Sequence, residues 1–157
     1  MNAFQTLGLE AHLLQAITDL GFETPSEVQE KTIPTLLSKE CDLVALAQTG
    51  TGKTAAFGFP ILQKINIESR TTQGLILSPT RELCLQITNE IKLYGKYCKG
   101  LNVTAIYGGA SITDQAKNVK RGAQIIVATP GRMKDMINRR LVDISKIDYA
   151  VLDEADE

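Results

Sequence analysis

DLVALAQTGTGKT, residues 42–54, is the stretch of sequence that decides the fold. It opens with a short apolar run, Asp42–Ala47, passes through a turn rich in glycine and ends in Lys53-Thr54. An apolar run of this length bounded by glycines indicates a buried strand, and the residues after the turn have a helical pattern. The order of strand, glycine-rich turn and helix is typical of a loop whose backbone N–H groups surround phosphates. The stretch therefore predicts a phosphate-binding loop in an α/β fold.

The loop fits the G-x-x-x-x-G-K-[ST] pattern except that Ala47 occupies the first glycine position. Lys53 has the length to reach the β and γ phosphates of a nucleotide, and the hydroxyl of Thr54 is suited to Mg²⁺. The alternative interpretation is a glycine-rich turn with an incidental lysine. The predicted nucleotide contacts of this loop are Gln48, Thr49, Gly50, Thr51, Gly52, Lys53 and Thr54.

Further along the chain, short apolar runs alternate with stretches of helical pattern. Alternation of this kind predicts a parallel sheet with helices on both faces and right-handed crossovers. The predicted strands after the first are Gly74–Ser78, Val103–Tyr107, Gln124–Ala128 and Asp148–Leu152. Each is followed by glycines or by polar residues. Because the carboxyl ends of parallel strands lie at one edge of a sheet, these clusters are expected to form one functional surface.

Asp153 and Glu154 follow the last apolar strand. A phosphate-binding enzyme needs one carboxylate for the hydrated metal and a second for the attacking water. We assign Asp153 to the metal and Glu154 to the water. The alternative is an acidic, solvated segment without a catalytic role.

Two helices are predicted before the phosphate-binding loop. Apolar residues recur at helical spacing from Leu9 to Leu20, and Gly21 is a typical residue after a helix end. Ser26 and Gln29 have the spacing of a capping box, so a second helix is expected to begin there. Pro34 is expected to kink or shorten that helix. A longer helix is predicted from Leu83, with Gly100 as its stop.

Composition limits the classes of partner. The 157 residues carry a formal net charge of −1, so nucleic-acid contacts must come from local groups and not from a broad basic field. Three cysteines without ligand spacing indicate reduced thiols in a cytoplasmic protein. No apolar run approaches the ~20 residues that span a bilayer, so no membrane association is expected.

The motif series resembles that of the DEAD-box RNA helicases. AQTGTGKT, PTREL, a Gly-Gly pair, TPGR and DEAD occur here in the family's order and rough spacing, and Ala47 is usual there. The resemblance implies a RecA-like P-loop NTPase sheet, with a helical Q-motif region over residues 1–40 and an incomplete ATP-binding domain over residues 41–157. It implies an ATP-dependent RNA helicase that uses ATP and Mg²⁺.

The resemblance also implies residue roles. Gln29 is expected to read adenine, with Phe22 or Phe4 packed near the base. An amide has one donor and one acceptor side, which matches N6 and N7 of adenine. The alternative is that Gln29 only closes the capping box with Ser26. The residues expected to contact the RNA backbone, independently of base sequence, are Thr80, Arg81, Gly108, Gly109, Thr129, Gly131 and Arg132. Pure helix capping is the alternative role for the two threonines.

Family members continue beyond DEAD into a further strand and a second RecA-like domain that supplies arginines to the γ-phosphate. We therefore expect these 157 residues to bind ATP and Mg²⁺ but not to unwind RNA alone. Loss of the further strand is expected to expose sheet edges that favour self-association. The alternatives are a nucleotide- or RNA-binding module without catalysis, and another P-loop NTPase.

Overall fold

The computed structural model describes residues 3–38, 42–44 and 52–153. The chain divides into two compact units. The first consists of Met1–Lys64 and Glu90–Lys99, and the second of Ile65–Asn89 and Gly100–Glu157. The predicted division near residue 40 stays a prediction.

The first unit is helical in its described part. A short 3₁₀ helix over Ala3–Leu7 precedes α1 (Ala11–Asp19), α2 (Glu27–Ser38) and α3 (Lys53–Lys64). α1 ends at Asp19, and Gly21 follows the cap residue Leu20 as the sequence predicts, with a φ of 77° that side chains rarely allow. The N–H groups of Gly21 and Phe22 bond back to the carbonyls of Thr18 and Ile17, which closes the helix end.

α2 begins with the predicted capping box. The Ser26 N–H donates to Oε1 of Gln29 at 2.9 Å, and the Gln29 N–H donates to Oγ of Ser26 at 3.3 Å. The helix continues past Pro34 to Ser38, so the expectation that this proline shortens it is wrong. Residues on either side of a proline can stay helical when packing holds them, and Ile33 beside it is fully buried.

The core of the first unit forms around α3. Leu13 and Ile17 of α1, Ile33 of α2 and Phe59 of α3 are fully buried. The Phe59 ring lies 4.7 Å from that of Tyr94, between centroids. A Cβ at Gly58 would lie 3.5 Å from the Tyr94 ring, so the small residue lets this ring pack closely.

The second unit contains a parallel sheet of four strands. They are β1 (Gly74–Leu77), β2 (Val103–Ile106), β3 (Ile125–Ala128) and β4 (Tyr149–Leu152), in the order β2-β3-β1-β4. The predicted parallel α/β sheet is confirmed, and so are these four strands. Residues 42–44 form no strand, and the rest of the predicted first strand lies outside the described residues.

Helices of the second unit pack against this sheet. Ile106, Ile126 and Ala128 form a buried cluster with Met133 and Met136 of α6 (Pro130–Asn138). Partly buried side chains of α5 (Ile112–Lys120) join the same cluster. All four residues of β3 are fully buried, as expected for a strand inside a parallel sheet.

α4 (Arg81–Tyr94) passes from the second unit into the first, where its last five residues lie. It ends well before Gly100, the predicted stop, and turns follow it. Gly95 comes directly after its last residue, and glycine is a poor helix former. None of the helices described in residues 3–38 and 52–153 has the length and apolar character needed to cross a membrane.

Candidate functional site

Part of the predicted phosphate-binding loop falls on described residues. Gly52 has a φ of 80° and directly precedes α3, whose first two residues are Lys53 and Thr54. Both side chains are partly exposed. They therefore stand at a helix N-terminus, where N–H groups and the helix dipole favour anions. Gln48, Thr49, Gly50, Thr51 and Glu154 lie outside the described residues.

Gln29 takes part in two local interactions at once. Its Oε1 accepts from the Ser26 N–H in the capping box, and its Nε2 donates to the carbonyl oxygen of Gly52 at 3.2 Å. The capping role is thereby confirmed. A carboxamide offers two donor and two acceptor positions, and these contacts use one of each. Capping therefore leaves hydrogen-bonding capacity for a base.

The two phenylalanines considered for base packing differ in accessibility. Phe4 is 1% exposed and belongs to the core of the first unit. Phe22 is only partly buried, and its ring lies 6.4 Å from that of Tyr94. Of the two, Phe22 has a surface on which a base could pack without opening the core.

In the second unit, the other predicted clusters follow the carboxyl ends of the four strands. Leu77 pairs with Ala128 on one side and with Leu152 on the other, so β1, β3 and β4 end level with one another. The Asp153 N–H donates to the Leu77 carbonyl at 3.0 Å, which fixes Asp153 just past the end of β4. The RNA candidates and the metal candidate Asp153 therefore lie at one edge of one sheet.

The N-terminus of α4 lies at this edge. Oγ1 of Thr80 accepts from the Leu83 N–H at 3.2 Å, so Thr80 caps the helix as predicted. The Arg81 guanidinium lies over the Tyr107 ring, 5.0 Å from its centroid, a cation–π arrangement. A Cβ at Gly109 would lie 3.4 Å from Nη1 of Arg81, so the loop after β2 approaches this arginine closely.

The N-terminus of α6 differs from that of α4. Thr129 occupies the N-cap position with extended backbone, but its side chain makes no cap hydrogen bond. The expectation that its hydroxyl caps the helix is therefore wrong. The next residue is Pro130, which has no N–H, so one of the usual unsatisfied donors of a helix start is absent here.

Two glycines at the edge are not explained by the fold. Neither Gly108 nor Gly131 has a positive φ, and a Cβ on either would meet no atom of the described residues within 4 Å. Gly131 also lies inside the first turn of a helix, where glycine is less stable than alanine. Gly109, by contrast, has a φ of 87° that requires glycine. Close approach of a ligand backbone would explain the first two.

Arg132 is held by the protein itself. Its Nη1 donates to the Ala110 carbonyl at 3.0 Å and to Oε1 of Gln115 at 3.1 Å. Both contacts use one nitrogen of a group with five N–H donors, so the guanidinium retains donors for a phosphate. Gln115 was missed from the sequence. A glutamine on the apolar face of α5, beside Ile112 and Val119, was the signal that could have found it.

The described cysteines are free thiols. Burial raises the pKa of Cys84 to about 11, and its Sγ lies 3.2 Å from the Val127 carbonyl oxygen. Burial likewise raises the pKa of Cys98. Raised pKa values make these thiols poor nucleophiles, so they are not part of a reactive site.

Three comparisons relate the chain to known proteins. A family model described as DEAD/DEAH box helicase matches residues 26–157. The chain is 51% identical to the ATP-dependent RNA helicase DeaD of Mycobacterium tuberculosis over 98% of its length and 27% of that protein's. It is 46% identical to the DeaD protein of Escherichia coli, over 99% of its length and 25% of that protein's. The chain thus spans about a quarter of the length of these curated relatives.

Solved structures are also similar to the chain. A DEAD box protein from the hyperthermophile Methanococcus jannaschii matches with a TM-score of 0.93 and 42% identity, over 99% of this chain and 42% of that one. The S. cerevisiae protein Dbp5, bound to RNA and ADP BeF3, matches with a TM-score of 0.89 and 36% identity, over 99% and 39% of the two chains.

Proposed function

Because this chain belongs to the DEAD/DEAH box helicase family, we propose that it is the ATP- and RNA-binding part of an ATP-dependent RNA helicase. One observation carries the proposal. The second unit gathers two arginines, two glycines without an internal role and Asp153 at one edge of a parallel sheet. Edges of this kind bind ligands in open α/β sheets.

We propose that ATP binds through the first unit. The start of α3, with Lys53 and Thr54, provides a helix N-terminus and a cationic side chain for the phosphates. Gln29 retains one donor and one acceptor position for N7 and N6 of adenine, and Phe22 offers a partly exposed ring. Guanine presents an acceptor where adenine has its amino group, so GTP would lose one bond and face repulsion.

We propose that Mg²⁺ accompanies the nucleotide. By its chemistry each candidate ligand fits, since the carboxylate of Asp153 and the hydroxyl of Thr54 are each a hard oxygen ligand of the kind that Mg²⁺ prefers. Both residues are partly exposed, which leaves room for the waters that this ion retains. When bound, Mg²⁺ would neutralise charge on the phosphates. Asp153 would hold the ion through its fixed position after β4, and Glu154 would orient the attacking water.

We propose that RNA binds at the carboxyl edge of the second unit through its sugar-phosphate backbone. The groups there are arginine donors, helix N-termini and glycines that allow close approach. Groups of these kinds contact phosphates and carry no base readout, so binding should be independent of sequence. A net charge of −1 fits such local recognition better than a broad electrostatic field.

β4 offers a second surface. In the described part of the sheet it pairs with β1 on one side, and Leu152 is 65% exposed. We propose that this edge accepts a further strand, from the rest of the protein or from a second copy of the chain. Concentration-dependent association of the 157-residue chain in sedimentation would support the second source.

We also propose a cytoplasmic location, on the strength of the free thiols.

ATP hydrolysis and RNA binding by the whole protein test the proposal. Arg81→Ala should weaken binding of single-stranded RNA by on the order of tenfold, because it removes one charged contact, and should leave ATP affinity unchanged. Arg132→Ala should also lower stability, since Ala110 and Gln115 lose their partner. RNA affinity that is unchanged by both substitutions would contradict the proposed RNA surface. Absence of RNA-stimulated ATPase in the unmodified protein would contradict the helicase assignment.

A further inference from the structure

We propose that Gln115 is the positioning residue of the RNA-binding edge, which it serves by holding the loop Tyr107–Ala110 and Arg132 in one arrangement. The proposal rests on the proposed function, since it concerns the same surface. Gln115 itself is 6% exposed and would not touch RNA. Its effect on RNA binding would pass through the groups that it holds.

The Gln115 amide binds both backbone groups of a single residue. Its Nε2 donates to the Tyr107 carbonyl at 3.1 Å, and its Oε1 accepts from the Tyr107 N–H at 3.3 Å. Tyr107 directly follows β2, one of the two outer strands of the described sheet. The side chain therefore replaces a strand partner at the point where the ladder ends, and it fixes the direction in which the chain leaves β2.

A second contact extends this control to the other end of the loop. Oε1 of Gln115 also accepts from Nη1 of Arg132 at 3.1 Å, and the same Nη1 donates to the Ala110 carbonyl at 3.0 Å. Gln115 thus holds the start of the loop directly and its end through Arg132. Gly108 and Gly109 lie between the two held ends, and both are exposed.

Gln115 also influences Arg81, through the ring of Tyr107. Arg81 lies over the ring of Tyr107, so the position of that ring influences the position of the guanidinium. One buried amide is thereby connected to both arginines of the proposed surface and to the loop that contains Gly108 and Gly109.

The contacts require an amide. Oε1 must accept two bonds while Nε2 donates one, and only glutamine offers both functions at this length. A glutamate at this position would keep the acceptor for Arg132 but would place a second oxygen against the Tyr107 carbonyl. A methionine of similar shape would leave the N–H and the carbonyl of Tyr107 without this partner and would leave Nη1 of Arg132 with the Ala110 carbonyl alone, and each lost bond weakens the arrangement.

A purely structural role is the competing explanation, and the chain contains a matched control for it. Gln73 is also 6% exposed. Its Nε2 donates to the carbonyls of Asn66 and Thr71, and its Oε1 accepts from the Asn66 N–H. Gln73 lies just before β1, at the amino ends of the strands, whereas the proposed RNA surface lies at their carboxyl ends. Gln73→Met therefore removes a comparable buried amide without touching the proposed RNA surface.

The experiment compares Gln115→Met, Gln115→Glu and Gln73→Met in the whole protein. Urea unfolding gives the stability of each variant, and anisotropy of a labelled single-stranded RNA gives its affinity over a range of salt concentrations. We expect Gln115→Met to weaken RNA binding at least tenfold, with ATP affinity unchanged. The slope of log affinity against log salt concentration should fall in magnitude by about one unit, the value for one phosphate contact, because Arg132 is no longer held in place. Gln73→Met should keep wild-type RNA affinity and salt dependence.

Equal effects of Gln115→Met and Gln73→Met on RNA binding would overturn the proposal, and so would an unchanged salt slope in Gln115→Met. If Gln115→Met does not fold, Gln115→Glu decides the matter. It keeps the bond to Arg132 but not the one to the Tyr107 carbonyl, so its affinity should lie between those of wild type and Arg132→Ala, and wild-type affinity would overturn the proposal. Failure of the proposed function is distinct, because RNA binding would then be insensitive to Arg81→Ala as well.

Discussion

Nε2 of Gln29 lies 3.2 Å from the carbonyl oxygen of Gly52, the residue directly before α3. The approach is so close that a Cβ at Gly52 would lie 2.2 Å from the same nitrogen. The residue proposed to read adenine is therefore bonded to the loop proposed to bind phosphates. Occupation of one position should influence the other.

Gln29→Glu separates the cap from the other roles of this side chain. Glutamate closes a capping box as well as glutamine does, so α2 should keep its start. The donor to Gly52 and to adenine N7 is lost, and we expect ATP affinity to fall by on the order of tenfold. Gln29→Ala should lose the cap as well and lower thermal stability. Nucleotide titration and thermal unfolding measure the two effects.

Gln5→Glu provides the control for charge in that experiment, since Gln5 is an exposed residue of the 3₁₀ helix. It should leave ATP affinity unchanged. Unaltered discrimination between ATP and GTP in both Gln29 variants would show that this residue acts only as a cap.

Gly131→Ala should separate stability from RNA binding. Alanine is favoured over glycine inside a helix by roughly 0.5–1 kcal/mol, and no described atom lies within 4 Å of the added Cβ, so stability should rise or stay equal. RNA affinity should fall, because the methyl group would occupy space that the RNA backbone approaches. Urea unfolding and RNA anisotropy of the same preparation test both statements.

Gly109→Ala is the contrasting variant, since its φ of 87° makes any side chain strained and should lower stability. If Gly131→Ala binds RNA as tightly as wild type, the RNA backbone does not pass close to the start of α6.

The sequence predicts those parts of the structure that depend on local pattern. Gly21 ends α1 and Ser26 begins α2 as expected, because each effect needs only residues a few positions apart. The four described strands follow from apolar runs bounded by turns. The order of the clusters after these strands also predicts that they meet at one edge.

The contacts between distant segments could not be predicted. Gln115 joins a loop after β2 to an arginine of α6, and only the folded sheet brings these segments together. Thr129 has the position of a cap, but the side chain does not make the bond that the position favours. Arg132 carries the charge expected for RNA binding, while its internal hydrogen bonds depend on packing that no local pattern contains.

Arg140→Gly should stabilise the protein. Arg140 has a φ of 57°, and its N–H and that of Leu141 close the end of α6 on the carbonyls of Ile137 and Met136. An L-residue in this conformation strains the folded protein by about 1–2 kcal/mol, and glycine removes that strain. Part of the gain is lost again, because glycine also gives the unfolded chain more conformational freedom. We expect a net gain of about 0.5–1 kcal/mol in the free energy of unfolding.

Arg139→Gly is the matched control for that variant. Arg139 has a φ of −84°, which suits any residue, and its Nε bonds to Asp135 at 2.9 Å. It should gain nothing and lose a little stability. Equal responses at the two positions in urea unfolding would show that the backbone at Arg140 carries no strain.

Asp19→Asn should change how stability depends on pH. The Asp19 carboxylate accepts from Nζ of Lys96 at 2.7 Å and from the Tyr97 hydroxyl, and these hydrogen bonds lower its pKa from 3.8 to about 2. A carboxyl whose pKa is depressed by folding stabilises the folded state above its unfolded pKa, and the benefit is lost as pH falls through the folded value. The difference in urea midpoint between wild type and Asp19→Asn should therefore be constant from pH 7 to about 4 and shrink from there to about 2. A wild-type advantage that persists unchanged at pH 2 would rule out the carboxylate as its source.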